Sequence, residues 1–201
     1  MPTIENTLAI LALWGLVGYF LGSVPFGMVI ARVMGLGNLR DIGSGNIGAT
    51  NVLRTGNKGA AALTLLFDGG KGAVAVLLAR AMAGEDAAQL AGLMAFLGHC
   101  FPIWLRFKGG KGVATFLGVL LALAWPVGLA TCATWLVAAV LGRISSQAAL
   151  FAAASSTFWL LLLGHGTAIV MGAILTLLVF TRHMENIRRI KAGTEPKIGQ
   201  K

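Results

Sequence analysis

The sequence predicts an all-α integral membrane protein, a polytopic bundle of about seven transmembrane helices with the N-terminus outside and the C-terminus in the cytoplasm. Of its 201 residues, 57% are hydrophobic and only 11% are charged. A soluble domain carries about 25% charged residues, so lipid must surround most of this molecule. The length favours one domain, residues 1–201.

Six apolar stretches supply the spans, because roughly 20 apolar residues cross about 30 Å of hydrocarbon. They are 7–34, 59–82, 87–105, 113–141, 147–163 and 167–181. The stretch 113–141 is too long for one ordinary helix. Trp125-Pro126 near its middle is typical of a helix that starts at the membrane interface. Dividing the stretch there gives seven spans. The first stretch lacks a basic n-region and a small-x-small cleavage site, so we expect it to be retained.

Basic residues lie mainly on one predicted side of the membrane. With the N-terminus outside, the cytoplasmic segments are 36–58, 106–111, 142–146 and the tail from residue 182, and these hold most of the 16 Lys and Arg residues. Glu5, Glu85 and Asp86 fall on the opposite side, with Arg80 as the exception. This asymmetry follows the positive-inside rule. The first long loop and the tail are both basic, so the number of spans must be odd, and seven or five both satisfy it.

The net charge of +9 would suggest nucleic acid in a soluble protein. Here little surface remains in water, and no aromatic platform interrupts the basic residues, so we expect no nucleic-acid partner. The basic residues must therefore set the orientation in the membrane, bind the anionic headgroups of lipids, or bind an anionic substrate.

The cytoplasmic sequence KGGKG, residues 108–112, has the properties of a phosphate-binding loop. Glycines let successive backbone N–H groups face an anion, and a helix that starts just afterwards adds its positive end. A phosphate could then meet both the Lys111 ammonium and the first amides of that helix. The segment is not the nucleotide-binding pattern G-x-x-x-x-G-K-[ST]. A glycine-rich turn with an interfacial lysine is the alternative.

Two further polar segments lie on the same predicted side. The segment 40–54 carries neutral hydrogen-bonding groups flanked by cations: Arg40, Ser44, Asn46, Thr50, Asn51 and Arg54. In the segment 182–195, His183 and Asn186 share a helix face at spacing i, i+3. A long connector is the alternative for the first segment, and a basic helix anchored to anionic lipid is the alternative for the second.

A second copy, DGGKG at 68–72, lies about ten residues inside a span. Charges at that depth are costly and are usually paired or functional. Because Asp68 and Lys71 are spaced i, i+3, we expect an ion pair in preference to direct substrate contact. We expect His99 to be hydrogen-bonded within a span and His165 to lie in an outside turn. Cys100 and Cys132 are expected to be packing residues.

Four motifs together resemble the signatures of the bacterial acyl-phosphate:glycerol-3-phosphate acyltransferases. They are GSVPFG at 22–27, GSGNIGATN at 43–51, KGGKGVAT at 108–115 and RHMENIRRIKAGTE at 182–195, and the DGGKG element also fits. The resemblance covers essentially the whole chain. It implies that the sn-1 hydroxyl of glycerol 3-phosphate attacks a fatty acyl phosphate, which releases phosphate and starts phospholipid synthesis. It also implies a multi-pass protein of the bacterial inner membrane with its active site facing the cytoplasm.

The acidic residues are scattered too thinly for a two-metal site, so we expect no metal, and we expect no cofactor. The resemblance further implies the roles of individual residues. The expected catalytic residues are His183, Asn186, Ser44 and Lys111. The expected substrate-binding residues are Arg40, Asn46, Thr50, Asn51, Arg54, Lys108, Gly109, Gly110, Gly112, Thr115, Arg189 and Glu195. Glycerol 3-phosphate, fatty acyl phosphate and membrane lipids are the expected partners. Either His183 or a phosphate oxygen of the substrate would act as general base.

A transporter or channel for a phosphorylated anion is the competing class, because broken helices aimed at an anion are expected there as well. Two features argue against it: the polar segments gather at one face instead of the mid-membrane, and no inverted repeat is evident.

Overall fold

The computed structural model describes residues 1–199, and every regular element within them is helical. Lys201, counted above with the basic tail, lies outside the described residues. The helices are α1 (Leu8–Ser23), α2 (Phe26–Val33), α3 (Ala49–Leu53), α4 (Lys58–Ala83), α5 (Glu85–Cys100), α6 (Val113–Leu123), α7 (Trp125–Gly142), α8 (Ser145–Leu162), α9 (Ile169–Arg182) and α10 (Met184–Lys191). The all-helical prediction is therefore confirmed for this part of the chain.

Four segments of the described chain are long and apolar enough to cross a membrane: Leu8–Val33, Lys58–Ala83, Glu85–Leu105 and Trp125–Gly142. A fifth is added if α9 and α10, bent by 61°, count as one broken span. The seven-span topology and the orientation of the termini remain predictions.

The predicted division of the stretch 113–141 is confirmed. Helix α6 ends at Leu123, Ala124 leaves the helical conformation, and α7 begins at Trp125 with Pro126 in its first turn. Proline fits there because the first N–H groups of a helix have no partner within the helix. At 11 residues, α6 is about 16 Å long, which is roughly half the thickness of the hydrocarbon.

Small residues allow the central helices to approach closely. Gly18 and Gly22 of α1 face Ala91 and Ala95 of α5, where an added Cβ would overlap the alanine backbone. In lipid, helices associate by such close packing because their surroundings are as apolar as their side chains. The resulting core is formed mainly by α1, α4, α5, α6 and α9.

The predicted cytoplasmic segments lie together at one end of the bundle, called here the basic end. Arg40 donates a hydrogen bond to the Lys108 carbonyl, and the Thr50 and Ser145 hydroxyls are 3.2 Å apart. The Ile198 amide donates to the carbonyl of residue 143 at 2.6 Å. The four segments thus form one surface, as their grouping in the sequence predicted.

The opposite end is held by its own polar contacts. Asn6 donates to Asp86 at 2.6 Å, and Arg80 pairs with Glu85 at 2.9 Å. Arg80, the exception in the charge distribution, therefore has a carboxylate partner at its own end of the bundle.

Candidate active site

The GGKG loop (109–112) joins α5 to α6 at the basic end and is folded onto the end of α5. The Gly109 amide donates to the Cys100 carbonyl at 3.0 Å, and the Gly110 amide donates to the His99 carbonyl at 3.1 Å. A Cβ on either glycine would overlap His99. Glycine is therefore required here for space, because the loop backbone lies directly on the preceding helix.

Helix α6 begins at Val113, immediately after the loop, with Gly112 as its N-cap at φ 82°. The left-handed φ favours glycine at this position. The amides of the first helical turn have no partner within the helix and carry the positive end of the helix dipole. Lys111 stands beside this helix start, as the sequence predicted.

Asn51 organises the first polar segment from within. Its Nδ2 donates to the carbonyls of Leu39 at 2.9 Å and Asn46 at 2.7 Å. Its Oδ1 accepts from the Ser44 amide at 3.1 Å and from Arg54 at 3.3 Å. Only 2% of Asn51 is exposed, so this side chain fixes the loop that presents Ser44 and Asn46.

The third polar segment surrounds Glu195. Oε1 of Glu195 accepts from Ser146 at 2.6 Å and from Asn186 Nδ2 at 2.5 Å, and Oε2 accepts from Arg189 at 2.6 Å. The Asn186 Oδ1 accepts from Lys111 at 2.5 Å. These contacts join the GGKG loop, α8, α10 and the C-terminal segment into one network.

His183 lies at the break between α9 and α10 and is almost fully buried. Its Nδ1 is 2.8 Å from the Val179 carbonyl oxygen. A carbonyl only accepts, so Nδ1 must carry the hydrogen, which leaves the lone pair of a neutral ring on Nε2.

A polar cavity of about 440 Å³ opens among these segments. Five of its lining residues were predicted: Arg40, Ser44, Asn46, Gly109 and Lys111. The others are Gly45, Thr181, Arg182, Met184, Glu185 and Arg188. Four cations and one carboxylate around a single cavity favour an anionic ligand.

The remaining predicted residues do not line this cavity. Asn51 and Arg54 lie in the network of the first segment, and Asn186, Arg189 and Glu195 lie in that of the third. The His183 ring contacts the Val179 carbonyl, and its neighbours Arg182 and Met184 line the cavity. Gly110 packs on His99 and Gly112 on Phe96, Lys108 contributes its carbonyl to Arg40, and Thr50 contacts Ser145. Thr115 is the clearest departure from the prediction. It is fully buried and donates to the Asp68 carbonyl at 2.8 Å. Its place in the first turn of α6 directs it to the packing against α4, away from the cavity.

Sequence reasoning missed Arg182, Arg188 and Ser146. Arg182 donates to the Gly110 carbonyl at 3.2 Å and lies over the Phe101 ring at 5.0 Å, so it holds the GGKG loop from outside. Arg182 and Arg188 belong to the third polar segment, but they lie on different helices, α9 and α10, so no single helix periodicity relates them. Ser146 was overlooked because the sequence suggested a helix start at residue 147.

Burial among cations changes the acid–base properties of the site. Burial lowers the pKa of Lys111 from 10.5 to about 8, although Glu195 nearby acts in the opposite direction. Burial acts to raise the pKa of Glu195, but hydrogen bonds from Ser146, Asn186 and Arg189 outweigh it and hold that pKa below its usual value. Glu195 is therefore ionised at neutral pH, and Lys111 is a cation that can lose its proton only slightly above it.

A second, apolar cavity of about 740 Å³ lies between α7 and α8. Small and aromatic side chains line it, and Gly142 and Gln147 mark its end nearest the basic end.

Residues 12–193 match the family described as glycerol-3-phosphate acyltransferase. A glycerol-3-phosphate acyltransferase of Ruegeria sp. is 72% identical over the full length of both chains. One from Cereibacter sphaeroides is 66% identical over all of this chain and 96% of its own. The chain belongs to the glycerol-3-phosphate acyltransferase family. It is therefore an acyltransferase of lipid biosynthesis.

Two solved structures share the fold of this acyltransferase. The crystal structure of PlsY (YgiH), an integral membrane glycerol 3-phosphate acyltransferase, in its glycerol 3-phosphate form has a TM-score of 0.89 and 37% identity, covering 94% of this chain and 96% of the other. The lysophosphatidic acid form has a TM-score of 0.86 and 35% identity, covering 94% and 95%. The protein is thus an integral membrane enzyme.

Proposed function

We propose that this acyltransferase moves a fatty acyl group from acyl phosphate to the sn-1 hydroxyl of glycerol 3-phosphate, giving 1-acyl-glycerol 3-phosphate and inorganic phosphate. The cavity lined by Arg40, Lys111, Arg182 and Arg188 carries the proposal, because both substrates bring phosphate groups. Related PlsY crystals in glycerol 3-phosphate and lysophosphatidic acid forms support the acceptor and the product.

The donor phosphate would lie on the GGKG loop. The Lys111 ammonium lines the cavity and would neutralise it, and Arg182 donates to the Gly110 carbonyl of the same loop. Glycerol 3-phosphate would lie between Ser44, Asn46 and the cations of the third segment. The apolar cavity between α7 and α8 would take the acyl chain, since Gly142 and Gln147 lie at its end nearest the basic end.

The chemistry needs positioning and charge stabilisation above all. The acceptor oxygen forms a bond to the acyl carbon, the bond from that carbon to the phosphate oxygen breaks, and the hydroxyl proton moves to a base. Acyl phosphate already has a good leaving group, so cations and amides at the developing negative charges supply most of the assistance. His183 is our candidate base, because its Nε2 is left as an acceptor by the contact of Nδ1 with Val179.

The test uses purified protein, palmitoyl phosphate and glycerol 3-phosphate in the presence of EDTA, with phosphate release measured and the position of the acyl chain determined by NMR. We expect stoichiometric phosphate and 1-acyl product. Palmitoyl-CoA replaces palmitoyl phosphate in the control reaction. Turnover with the thioester and none with the phosphate would overturn the donor assignment, and a 2-acyl product would overturn the sn-1 assignment.

We also propose seven spans in the bacterial inner membrane, with the basic end and the active site in the cytoplasm. The gathering of the basic segments at one end supports this orientation. After replacement of Cys100 and Cys132, single cysteines at Thr3 and Lys191 can be treated with an impermeant maleimide in intact cells. Labelling of Thr3→Cys alone is expected, whereas labelling of Lys191→Cys alone would reverse the orientation.

A further inference from the structure

The DGGKG segment (68–72) forms a buried polar cluster inside the bundle. The Lys71 ammonium lies 2.8 Å from Asp68 Oδ1, 2.8 Å from the Val24 carbonyl and 2.9 Å from His99 Nδ1. The side chains of Asp68 and Lys71 are each 3% exposed. The predicted ion pair is therefore present. All three ammonium hydrogens have acceptors, and the cluster is not among the residues that line the polar cavity.

One side of this cluster reaches the beginning of the GGKG loop. The Lys71 ammonium can only donate, so His99 Nδ1 accepts and the hydrogen of a neutral ring is on Nε2. That Nε2 edge packs against Gly110, where a Cβ would overlap it, and the His99 carbonyl accepts from the Gly110 amide at 3.1 Å. Lys71 thus fixes the ring on which the loop lies.

The other side of the cluster reaches the helix that follows the loop. Thr115, in the first turn of α6, donates to the Asp68 carbonyl at 2.8 Å. One turn later Gly118 packs on the backbone of Gly69, with no space for a Cβ between them. The same short segment of α4 therefore contacts both the end of α5, on which the GGKG loop lies, and the start of α6, which follows the loop.

We propose that Asp68, Lys71 and His99 are positioning residues that hold the GGKG loop in the conformation that receives the donor phosphate. Charged groups are costly inside a bundle, and apolar side chains would fill the same space at lower cost, so packing alone does not account for them. The ion pair fixes His99 and the helix contacts fix α6, while Lys111 meets the substrate. The inference rests on the proposed function insofar as the loop binds acyl phosphate.

The test is the double variant Asp68→Asn/Lys71→Met. It removes both charges together, so that no uncompensated charge stays inside the bundle. The control is Glu85→Gln, which removes the ion pair at the far end of α4 and keeps the Arg80 contacts with the Ala122 and Leu123 carbonyls of α6. In the first variant we expect the KM for palmitoyl phosphate to rise about tenfold, the effect of losing one well-placed contact, with little change in turnover at saturation or in the KM for glycerol 3-phosphate. The control should leave all three unchanged.

Amide hydrogen exchange measures how well the backbone of the GGKG loop is protected in the absence of substrate. Amides of 109–112 should exchange faster in the Asp68→Asn/Lys71→Met variant, while those of α7 and α8 stay protected. Unchanged loop exchange together with an unchanged KM for palmitoyl phosphate would overturn the inference. Failure of the wild-type protein to use palmitoyl phosphate would instead overturn the proposed donor, and the exchange data would still decide the role of the cluster.

A second pair of variants covers the case in which the double variant does not fold. His99→Ala removes the ring under Gly110, whereas His99→Gln keeps an oxygen that can accept from Lys71. Faster loop exchange in His99→Ala with recovery in His99→Gln supports the positioning role. Loop exchange in His99→Ala at the wild-type rate contradicts it.

Discussion

The Lys111 ammonium donates to Asn186 Oδ1 at 2.5 Å, while Nδ2 of the same amide donates to Glu195 at 2.5 Å. An ammonium only donates and a carboxylate only accepts, so the orientation of the Asn186 amide is fixed by its two neighbours. The network places the Lys111 ammonium at the cavity, and the Glu195 carboxylate holds it there through the Asn186 amide. A phosphate that enters the cavity therefore meets a lysine already held in place.

Replacing Lys111 should impair activity far more than replacing Lys108. Lys111→Ala removes a half-buried cation from the cavity, and the loss of one charge-assisted contact should lower kcat/KM by about tenfold to a hundredfold. Lys108 is exposed and contributes its carbonyl to Arg40, so Lys108→Ala keeps that contact. Steady-state assays of both purified variants make the comparison. Equal losses would show that the total charge of the loop matters and the position of Lys111 does not.

The activity should fall as the pH rises through about 8, the pKa to which burial lowers Lys111. Above that pH the lysine is neutral and binds phosphate weakly, so kcat/KM should decrease. Unfolding is not the cause, since a lysine whose pKa is lower in the folded state penalises folding less as the pH rises. Arginine keeps its charge, so the decrease should be absent from Lys111→Arg between pH 8 and pH 10. The same decrease in that variant would assign the titration to another group.

His183→Ala should lower turnover at saturating substrate by about a hundredfold or more if His183 is the general base. The matched control is His165→Ala, which alters a turn distant from the site. A variant that lost affinity for glycerol 3-phosphate and kept its turnover would contradict the base assignment. In that case a phosphate oxygen of the substrate takes the proton.

The two GGKG copies should respond differently to the same small change. A Cβ at Gly110 would overlap His99, so Gly110→Ala must displace the loop, and we expect a large loss of activity. A Cβ at Gly70 meets no atom within 4 Å in the described chain. Gly70→Ala should keep activity and fold at least as well, because alanine favours the helix. Activity and thermal unfolding of both variants, measured in one detergent, provide the test.

Much of the fold followed from local sequence because lipid imposes a simple rule on composition. Stretches of about 20 apolar residues must become helices that satisfy their own backbone, so the helical class and the break before Trp125 could be read directly. The Asp68–Lys71 pair was equally local, since spacing i, i+3 brings two side chains together on any helix.

The positions of individual side chains at the site depend on residues that are distant in the sequence. Sequence assigned Thr115 to substrate and left out Arg182 and Ser146. The directions of these side chains depend on how α4, α5, α8 and α9 pack around the loop. The motifs marked which segments carry the chemistry. The contacts between segments decided which residues face the cavity and which support it.

Hydropathy and charge alone predict a helical membrane protein with polar, glycine-rich segments on one side, because both act on each segment separately. The connection between the two GGKG elements becomes visible only when the helices are packed together. Lys71 reaches His99 at 2.9 Å, and His99 lies beneath Gly110. That contact joins residues far apart in the chain, and it exists because small residues let the helices approach closely enough to make it.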